Sequence, residues 1–346
     1  MKVAIVDDSK FIRMVISQIV KSDSNFHIAW EAEDGQSAFL ENEKNMADII
    51  ISDMEMPIMD GVGLLKSLKE KDHKSKCLII SGFHKSDGEK IIEAFRMGAI
   101  GFISKNRIGK GINLNEFRHD ILEHLNAIKV QTENKILVNK KLPLEKTARI
   151  QSRADFLVLA GSAGSLEPLE EIVKKIHCFD IPIIIAIHMP VGVDEFFISR
   201  MNKFYEKNHS KMEISNSGEL SKNRIIMLKG GHEATFINIS DKISIDYHIP
   251  KVERLFTPDI NLFLKGAFEK NKCCDVVILS GLCSDACEGS KVHKENGGLI
   301  FVQDPNSAVA KTMPLSVISE GYYDFIMEPG KIGDLLITNY NLTKVG

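Results

Sequence analysis

The sequence predicts an α/β protein with two doubly wound, parallel-sheet domains. In both halves of the chain, short apolar runs alternate with segments of helical period. The apolar runs of the second half show no polar alternation, as expected of strands that helices cover on both faces. The length of 346 residues exceeds one ordinary core and therefore suggests two domains.

The composition excludes several classes of protein. With 44% hydrophobic and 26% charged residues, the chain is typical of soluble globular proteins. A formal net charge of -3 gives no general attraction to nucleic acid or to anionic membranes, so we expect neither as a partner. The amino terminus reaches Asp7 before any long apolar stretch, and the most apolar run, Ile181 to Ile187, is too short to span a membrane. We therefore expect a cytoplasmic protein without direct membrane insertion.

The six cysteines follow no recurring spacing, which favours free thiols in a reducing compartment. A metal site among the last four is the weaker alternative, because paired Cys-x2-Cys spacing is missing. The cysteines are Cys77, Cys178, Cys273, Cys274, Cys283 and Cys287.

The first half, residues 1–129, alternates five predicted strands with five predicted helices. The strands are Lys2 to Val6, His27 to Glu31, Asp48 to Ser52, Cys77 to Ser81 and Ile100 to Ser104. The helices are near Lys10 to Lys21, Gln36 to Leu40, Gly61 to Lys69, Glu89 to Met97 and Asn113 to Lys129. This alternation predicts a parallel sheet with a ligand crevice at the carboxyl ends of its strands.

Polar residues stand at the ends of these strands. They are Asp7 and Asp8 after the first strand, Asp53 after the third, Ser81 at the end of the fourth and Lys105 after the fifth. Three converging carboxylates repel one another unless a cation joins them, and oxygen ligands suit Mg²⁺. Asp53 could then accept a phosphoryl group, with Lys105 pairing with one of its oxygens and Ser81 following the acyl phosphate. The alternative is that these residues are ordinary solvated loop residues.

Four motifs in this half resemble the receiver domain of two-component response regulators, a flavodoxin-like fold. They are Val-Asp-Asp-Ser at 6–9, Asp53-Met-Glu-Met-Pro-Ile-Met-Asp-Gly61, Ser81-Gly82 and Phe102-Ile-Ser-Lys105. The resemblance covers about the first 125 residues. It implies that Asp53 takes phosphate from a histidine kinase and that the rotation of Phe102 follows Ser81.

The composition of residues 130–152 predicts a mobile, solvated linker. Five basic residues stand against two acidic ones, the periodicity is lost, and Pro143 interrupts the segment. Continuation of the preceding helix as far as about Val138 is the alternative. A second domain, 153–346, follows.

Strands and helices alternate again in this second domain. The predicted strands are Phe156 to Ala160, Pro182 to Ile187, Asp275 to Ser280 and Leu299 to Gln303. The predicted helices are Leu166 to Ile176, Asp194 to Tyr205, Pro258 to Glu269 and Asp285 to Glu295. Between Met212 and Tyr247, short alternating segments with Gly230-Gly231 predict inserted β-hairpins.

Three polar residues at strand ends suggest a hydrolase. Ser162 lies on the strand-to-helix turn after Phe156 to Ala160, His188 ends the next strand, and Asp285 follows Leu279-Ser-Gly281. Serine becomes a strong nucleophile when an imidazole takes its proton, and a carboxylate orients that imidazole. Taken singly, Ser162 could lie in a phosphate cradle or a mere connection, His188 could be a satisfied strand-end histidine, and Asp285 could cap the following helix.

The second half resembles the chemotaxis receptor methylesterase family, whose members carry a receiver domain first. The matches are the serine turn at 161–165, His188-Met-Pro190, Leu279-x-Gly281-x-x-x-Asp285 and the segment Gln303 to Pro314. The resemblance implies hydrolysis of glutamate methyl esters on the cytoplasmic helices of chemoreceptors, with glutamine deamidation as a second reaction. It also implies a chemotaxis histidine kinase as phosphodonor and no cofactor for the esterase domain.

By position, the resemblance makes Ser162 the nucleophile, His188 the general base and acid, and Asp285 the residue that orients His188. We expect the unphosphorylated receiver to cover the crevice near Ser162 and phosphorylation at Asp53 to open it.

The chain departs from the family pattern at the turns. The family has Gly-Ala-Ser-Thr-Gly-Gly around its serine, where this chain has Ala160-Gly-Ser-Ala-Gly-Ser165. Near the aspartate, Cys283 and Ala286 stand where the family has glycines. The segment Pro258 to Asn261 stands where the family has Pro-Ser-Val-Asp. Because glycine allows a left-handed backbone and close approach, we expect Ser165 and Cys283 to fit these turns less readily.

These departures leave two alternatives open. One is a catalytically degenerate module that binds receptor or another partner under receiver control, and the other is a serine esterase for a different ester or amide. We expect His232 to lie in a surface turn, and Cys283 and Cys287 to be small buried thiols.

Overall fold

The computed structural model describes residues 1–82, 87–105, 114–133, 154–239, 242–250 and 256–340. The chain divides into two compact units, residues 1–134 and 135–346. A helix reaches Glu133, so the start of the predicted linker is helical, and the rest of the linker lies outside the described residues. The domain limits at 129 and 153 stay predictions.

The first unit is a five-stranded parallel sheet in the order β2-β1-β3-β4-β5. Its strands are β1 Lys2–Val6, β2 His27–Ala32, β3 Ile49–Asp53, β4 Lys76–Ser81 and β5 Gly101–Ser104. Its helices are α1 Lys10–Lys21, α2 Gly35–Lys44, α3 Gly61–Glu70, α4 Gly88–Arg96 and α5 Leu114–Glu133. The strand order reverses between β1 and β3, so the ends of these two strands flank the point where such sheets bind ligands.

Local capping fixes where three of these helices begin. The side chains of Ser9, Asp34 and Asp60 accept hydrogen bonds from backbone N–H groups in the first turns of α1, α2 and α3. Each cap satisfies a donor that the helix itself leaves without a partner. The helix starts therefore set the loops that carry the polar strand ends.

The second unit is built on a seven-stranded parallel sheet in the order β14-β13-β12-β6-β7-β9-β8. These strands are β6 Phe156–Gly161, β7 Ile183–Ile187, β8 Glu213–Ser215, β9 Arg224–Met227, β12 Cys274–Ile278, β13 Ile300–Gln303 and β14 Phe325–Met327. Its helices are α6 Leu166–Lys175, α7 Val193–Lys207, α8 Ile260–Glu269, α9 Cys287–Glu295, α10 Thr312–Ser319 and α11 Pro329–Tyr340. The predicted fold class is thus confirmed.

An antiparallel hairpin stands apart from this sheet. It pairs β10 Glu233–Ile239 with β11 Lys242–His248. Phe236 packs against Phe156 of β6 and Phe263 of α8, with ring centroids 5.4 Å and 4.6 Å apart. The hairpin therefore shares the hydrophobic core with the sheet and α8.

The prediction of hairpins throughout 212–247 was only partly right. Strands β8 and β9 extend the main sheet in parallel, and Gly230-Gly231 precedes β10 and does not turn between paired strands. The apolar run Ile225-Ile226-Met227 is fully buried, which is typical of a covered parallel strand. Helix α9 begins at Cys287, two residues later than predicted.

Strands β6, β7 and β12 form the centre of the sheet, and every residue in them is buried. Their carboxyl ends open onto one edge of the sheet, where Ser162, His188 and the loop to Asp285 follow. We call this edge the catalytic crevice. No helix in the described part of the chain is long and apolar enough to cross a membrane.

Candidate active site

Ser162 is the first residue after β6 and begins the turn into α6. The residue is 7% exposed, and its N–H donates to the carbonyl of Ser280 at 2.9 Å. Its hydroxyl has no hydrogen-bond partner among the residues that the structure describes. Gly164, with φ +73°, gives the turn the left-handed backbone that it needs. The serine hydroxyl is thus left available for chemistry.

Two departures from the family pattern compensate each other in this turn. The Ser165 hydroxyl donates to the Ser162 carbonyl at 2.6 Å. A Cβ at Gly161 would lie 2.6 Å from Ser165 Cβ and 2.8 Å from its Oγ. Glycine at 161 therefore makes room for serine at 165, whereas the family pattern has alanine and glycine at these two positions.

His188 directly follows β7 and lies beside the serine turn, since its N–H donates to the Gly161 carbonyl at 3.2 Å. Its side chain is 4% exposed. Nε2–H donates to Asp285 Oδ2 at 2.9 Å, and Nδ1 lies 3.7 Å from Cys283 Sγ. The ring of Phe256 packs 5.2 Å away. Both nitrogens of the imidazole thus face partners in the crevice.

Asp285 is held by more than His188. Its carboxylate also accepts hydrogen bonds from the N–H groups of Ile260, Asn261 and Ala286, each at 2.8 Å. Burial raises the pKa of Asp285, but the hydrogen bonds from His188 and the backbone lower it by more. The net pKa is therefore below its ordinary value. Asp285 therefore binds the start of α8 and the histidine as a carboxylate, and Ala286, not Asp285, is the N-cap residue of α9.

The charge on His188 follows from its neighbours. Burial lowers its pKa, but the contacts with Cys283 and the hydrogen bond with Asp285 raise it to about 10. A buried cation is stable only when an anion lies close to it, and the Asp285 carboxylate faces this ring. The structure therefore favours a protonated His188 at neutral pH.

The turns around the crevice accommodate most of the residues that stand where the family has glycine. Ser165 has φ −86°, and Cys283 is not among the described residues with positive φ. Neither position therefore needs a left-handed backbone, which was one of the two reasons for expecting a poor fit. Ala286 does adopt a left-handed φ of +70°, which costs about 1 kcal/mol in a residue with a Cβ.

The altered loop at 258–261 keeps its contacts. The Asp259 side chain accepts from Leu262 N–H at 2.7 Å and caps α8. The Asn261 side chain accepts from Gly289 N–H at 2.7 Å, which ties the loop to α9. Because the backbone N–H groups of this loop bind Asp285, its changed side chains still support the same carboxylate.

Sequence reasoning missed the role of Ser280. This fully buried serine donates to the Ala163 carbonyl at 2.7 Å and accepts from Ala310 N–H at 2.9 Å. Its own N–H donates to Gln303 Oε1 at 2.9 Å. One hydroxyl thus joins the serine turn to two other loops. A polar residue at the end of an apolar strand was the available signal.

The first unit carries the second polar site. Lys105 Nζ lies 2.6 Å from both Asp7 Oδ2 and Asp53 Oδ2. Burial raises the pKa of Asp53 above its ordinary value although the ion pair with Lys105 opposes this. Residues predicted to meet at the ends of β1, β3 and β5 therefore do meet.

A cation could be held at this site. One oxygen each from Asp7, Asp8 and Asp53 lies within 4.8 Å of the other two, the only such group of possible metal ligands within the described ranges. Asp8 is exposed, whereas Asp7 and Asp53 are buried, so ligand positions toward solvent stay open to water. Carboxylate oxygens with bound water are the ligands that Mg²⁺ prefers. The donor set fits that ion.

The remaining predicted residues lie where their strands place them. Ser81 is buried at the end of β4, and Phe102 is half-buried on the adjacent strand β5. His232 is half-buried in the turn before β10, where Nδ1 meets the Gly230 carbonyl at 2.8 Å. Cys287 is buried as expected, but Cys283 is half-buried and faces His188.

Two segments of the chain match known families. Residues 157–336, more than half of the chain, match the CheB methylesterase family. Residues 3–111 match the response regulator receiver domain. The order of the two matches is the order of the two units.

Curated relatives match over nearly their whole length and are called protein-glutamate methylesterase/protein-glutamine glutaminase. The Thermotoga maritima protein is 26% identical, with 97% of each chain covered. The Methanococcus maripaludis protein is 28% identical, covering 95% of this chain and 94% of the relative.

Among solved structures, the Thermotoga maritima CheB methylesterase catalytic domain is 25% identical, with a TM-score of 0.48, over 53% of this chain and 97% of that one. The response regulator domain of Thermotoga maritima CheB is 32% identical, with a TM-score of 0.33, over 38% of this chain and 94% of that one. The two family matches and the full-length relatives decide the assignment. The chain belongs to the CheB methylesterase family, with a response regulator receiver domain as its first half.

Proposed function

We propose that this chain is a phosphorylation-controlled esterase that hydrolyses glutamate methyl esters of chemoreceptors and deamidates receptor glutamines. The observation that carries the proposal is the part-buried His188–Asp285 pair, whose histidine is bonded through its backbone N–H to Gly161, the neighbour of Ser162 with its available hydroxyl. The names of the curated relatives give the substrate class. The reaction would take place in the cytoplasm, on the receptors' cytoplasmic helices.

The first half-reaction forms an acyl-enzyme. The neutral form of His188, which the resting site reaches by releasing a proton, takes the hydroxyl proton of Ser162, and Ser162 Oγ attacks the carbonyl carbon of the ester. Since Asp285 holds Nε2, the nitrogen that accepts the proton is Nδ1. Ala163 follows the nucleophile, and its N–H donates to no acceptor among the described residues, so it can bind the developing oxyanion. The acyl-enzyme forms when protonated His188 gives its proton to the departing methoxide, which leaves as methanol.

The second half-reaction frees the receptor carboxylate. His188 then takes a proton from water, the resulting hydroxide attacks the acyl group, and Ser162 is restored. With a glutamine side chain the leaving group is ammonia, and the product is again glutamate. Asp285 keeps the imidazole oriented throughout.

Control begins at Asp53 in the receiver domain. Its carboxylate would accept a phosphoryl group from a chemotaxis histidine kinase. Asp7, Asp8 and Asp53 would hold Mg²⁺, and this ion would neutralise charge on the phosphoryl oxygens. Lys105 would move from its ion pairs with Asp7 and Asp53 to a phosphoryl oxygen. Ser81 and then Phe102 would follow the acyl phosphate, and the catalytic domain would shift to its active population.

Methanol release from methylated chemoreceptor tests this function. Full-length protein, phosphorylated with acetyl phosphate, should release methanol, and Ser162→Ala should release none above background. Ser319→Ala is the matched control, because this hydroxyl is exposed and, among the described residues, bonds only to the nearby Ser316 carbonyl. Equal methanol release by wild type and Ser162→Ala would refute the assigned nucleophile. No release by the phosphorylated wild type would favour a degenerate binding module.

A further inference from the structure

We propose that Cys283 is a second nucleophile in the catalytic crevice, activated by the same histidine that serves Ser162. The inference rests on the proposed function for one point only, the role of His188 as a base. It adds a covalent site at a thiol. The arrangement that carries it is a row of three side chains, Cys283, His188 and Asp285.

The geometry of this row is that of a nucleophile, a base and an orienting carboxylate. Asp285 takes the Nε2–H of His188 at 2.9 Å, which leaves Nδ1 as the nitrogen that accepts a proton. The group facing Nδ1 is Cys283 Sγ at 3.7 Å, within hydrogen-bond range for sulfur. A thiol beside an imidazole can transfer its proton and become a thiolate, which is the nucleophilic form.

The thiol shares a crevice with Ser162. The loop that carries Cys283 runs against the serine turn, since Ser162 N–H donates to the Ser280 carbonyl at 2.9 Å and a Cβ at Gly281 would lie 3.0 Å from Ser162 Cβ. A carbonyl carbon that Ser162 can reach therefore lies close to this loop. Cys283 also has a backbone conformation that alanine or serine would share, so replacing it introduces no strain.

Cys283 differs from the other cysteines in its surroundings. Cys77, Cys274 and Cys287 are buried, and burial raises the pKa of each thiol, that of Cys77 to about 12. Burial also raises the pKa of the half-buried Cys273. Within the described residues, Cys283 is the cysteine whose thiol contacts a histidine.

The chemical step is acyl transfer. The Cys283 proton passes to His188 Nδ1, and the thiolate attacks the carbonyl carbon of an ester. The carbon–oxygen bond to the alcohol breaks, and His188 returns the proton to the leaving alkoxide. A thioester remains on Cys283. Water, deprotonated by His188, then attacks the thioester, which frees the acid and restores the thiol.

Acetylation by p-nitrophenyl acetate tests this site in the full-length chain. The protein carries Ser162→Ala, so that acyl transfer through Ser162 does not hide the thioester. Samples are quenched in acid, and peptide mass spectrometry measures the acetyl group on each cysteine. Treatment with neutral hydroxylamine then identifies thioesters, because it removes them. We expect Cys283 to be acetylated at least about 10-fold faster than Cys178 and Cys273.

Two further variants make the result specific. Adding His188→Gln should lower the acetylation rate of Cys283 to that of Cys178 and Cys273, whereas adding Cys287→Ala should leave it unchanged. Acetylation of Cys283 no faster than that of Cys178, or unaffected by His188→Gln, would overturn the inference. As a second measurement, the protein without substitutions should be alkylated by iodoacetamide first at Cys283, and equal alkylation of the accessible cysteines would also overturn it.

The result is separable from the proposed function. Methanol release from receptor without any Cys283 thioester would leave the esterase intact and refute the second nucleophile. A Cys283 thioester without methanol release would establish the nucleophile and refute the receptor substrate.

Discussion

Asp285 shows how one side chain can unite two requirements. It orients His188 and at the same time accepts two N–H groups from the start of α8. The donors keep it ionised, and its place at a helix N-terminus adds the favourable field of the helix dipole. Removing its charge should therefore affect the reaction more than the fold.

We predict that Asp285→Asn lowers kcat/KM for methyl ester hydrolysis by about 10³- to 10⁴-fold, because the amide no longer fixes the tautomer of His188. Steady-state methanol release measures this. Asp259→Asn is the matched control, since asparagine also caps a helix well and Asp259 caps the same helix. A similar loss in both variants would mean that α8, and not the carboxylate at 285, is what the reaction needs.

We predict that substitutions at Gly161 and Ser165 are coupled in their effects on stability, which a double-mutant cycle can measure. Gly161→Ala should destabilise the fold by about 1–3 kcal/mol, because the new methyl group meets Ser165. Ser165→Gly should cost about 1 kcal/mol through the lost bond to Ser162. The double variant should recover most of the stability that Gly161→Ala loses. Urea unfolding measures all three, and strictly additive losses would contradict the compensation.

His188 predicts a pH dependence of stability. Its pKa rises from an ordinary 6.5 to about 10 in the folded chain, so the folded state holds the proton more tightly. The stabilisation is therefore fully present below about pH 6.5 and is lost as the pH rises through 10. The difference in unfolding free energy between wild type and His188→Gln should shrink between about pH 7 and about pH 10.5. A constant difference over that range would show that no buried imidazolium forms.

At the scale of elements, the crevice is assembled from loops that hold one another. The turn from β6 to α6, the loop after β12 and the segment after β13 meet at the Ser280 hydroxyl. These loops come from distant parts of the sequence, so the strand ends of the parallel sheet bring them together.

We predict that Ser280→Ala destabilises the fold by about 1–3 kcal/mol, because it leaves the buried Ala310 N–H without an acceptor. It should also lower kcat, since the Ala163 carbonyl beside the nucleophile loses its donor. Ser319→Ala, at an exposed hydroxyl, should change stability by less than about 0.5 kcal/mol. Thermal unfolding measures the change in stability, and methanol release measures kcat. An unchanged kcat would show that the serine turn keeps its geometry without the Ser280 hydroxyl.

The sequence predicted the elements that carry strong local patterns. Strands β1, β3, β6 and β12 are apolar runs that polar residues follow. Such a run predicts both the strand and the position of the polar side chain at its carboxyl end. Strands β8 and β14 have three residues each, too few to show a period. Tertiary pairing with the sheet, not local preference, decides that they are strands.

The fine structure of the candidate site was harder to predict. Ser165 fits only because residue 161 is glycine, since the two residues meet across the turn. A comparison made one position at a time does not reveal such a contact. The contact between Cys283 and His188 joins residues 95 positions apart, so only the folded sheet reveals it. The glycine pattern alone suggested lost function, whereas the folded turn accommodates the substitutions.

At the scale of the whole molecule, the chain carries two complete polar sites in two units of parallel sheet. The Asp7, Asp53 and Lys105 cluster suits phosphoryl chemistry, and the His188–Asp285 pair suits hydrolysis. Neither site needs the residues of the other for its own chemistry. Their presence in one chain therefore indicates that one controls the other.

The initial rate of methanol release from methylated chemoreceptor, measured before and after adding acetyl phosphate with Mg²⁺, tests this control most directly. The comparison is between the wild-type chain and Asp53→Asn, whose side chain cannot form the acyl phosphate. We predict that acetyl phosphate accelerates methanol release by the wild type and leaves Asp53→Asn at its basal rate. Equal acceleration of both, or no acceleration of an otherwise active wild type, would contradict a phosphorylation-controlled esterase.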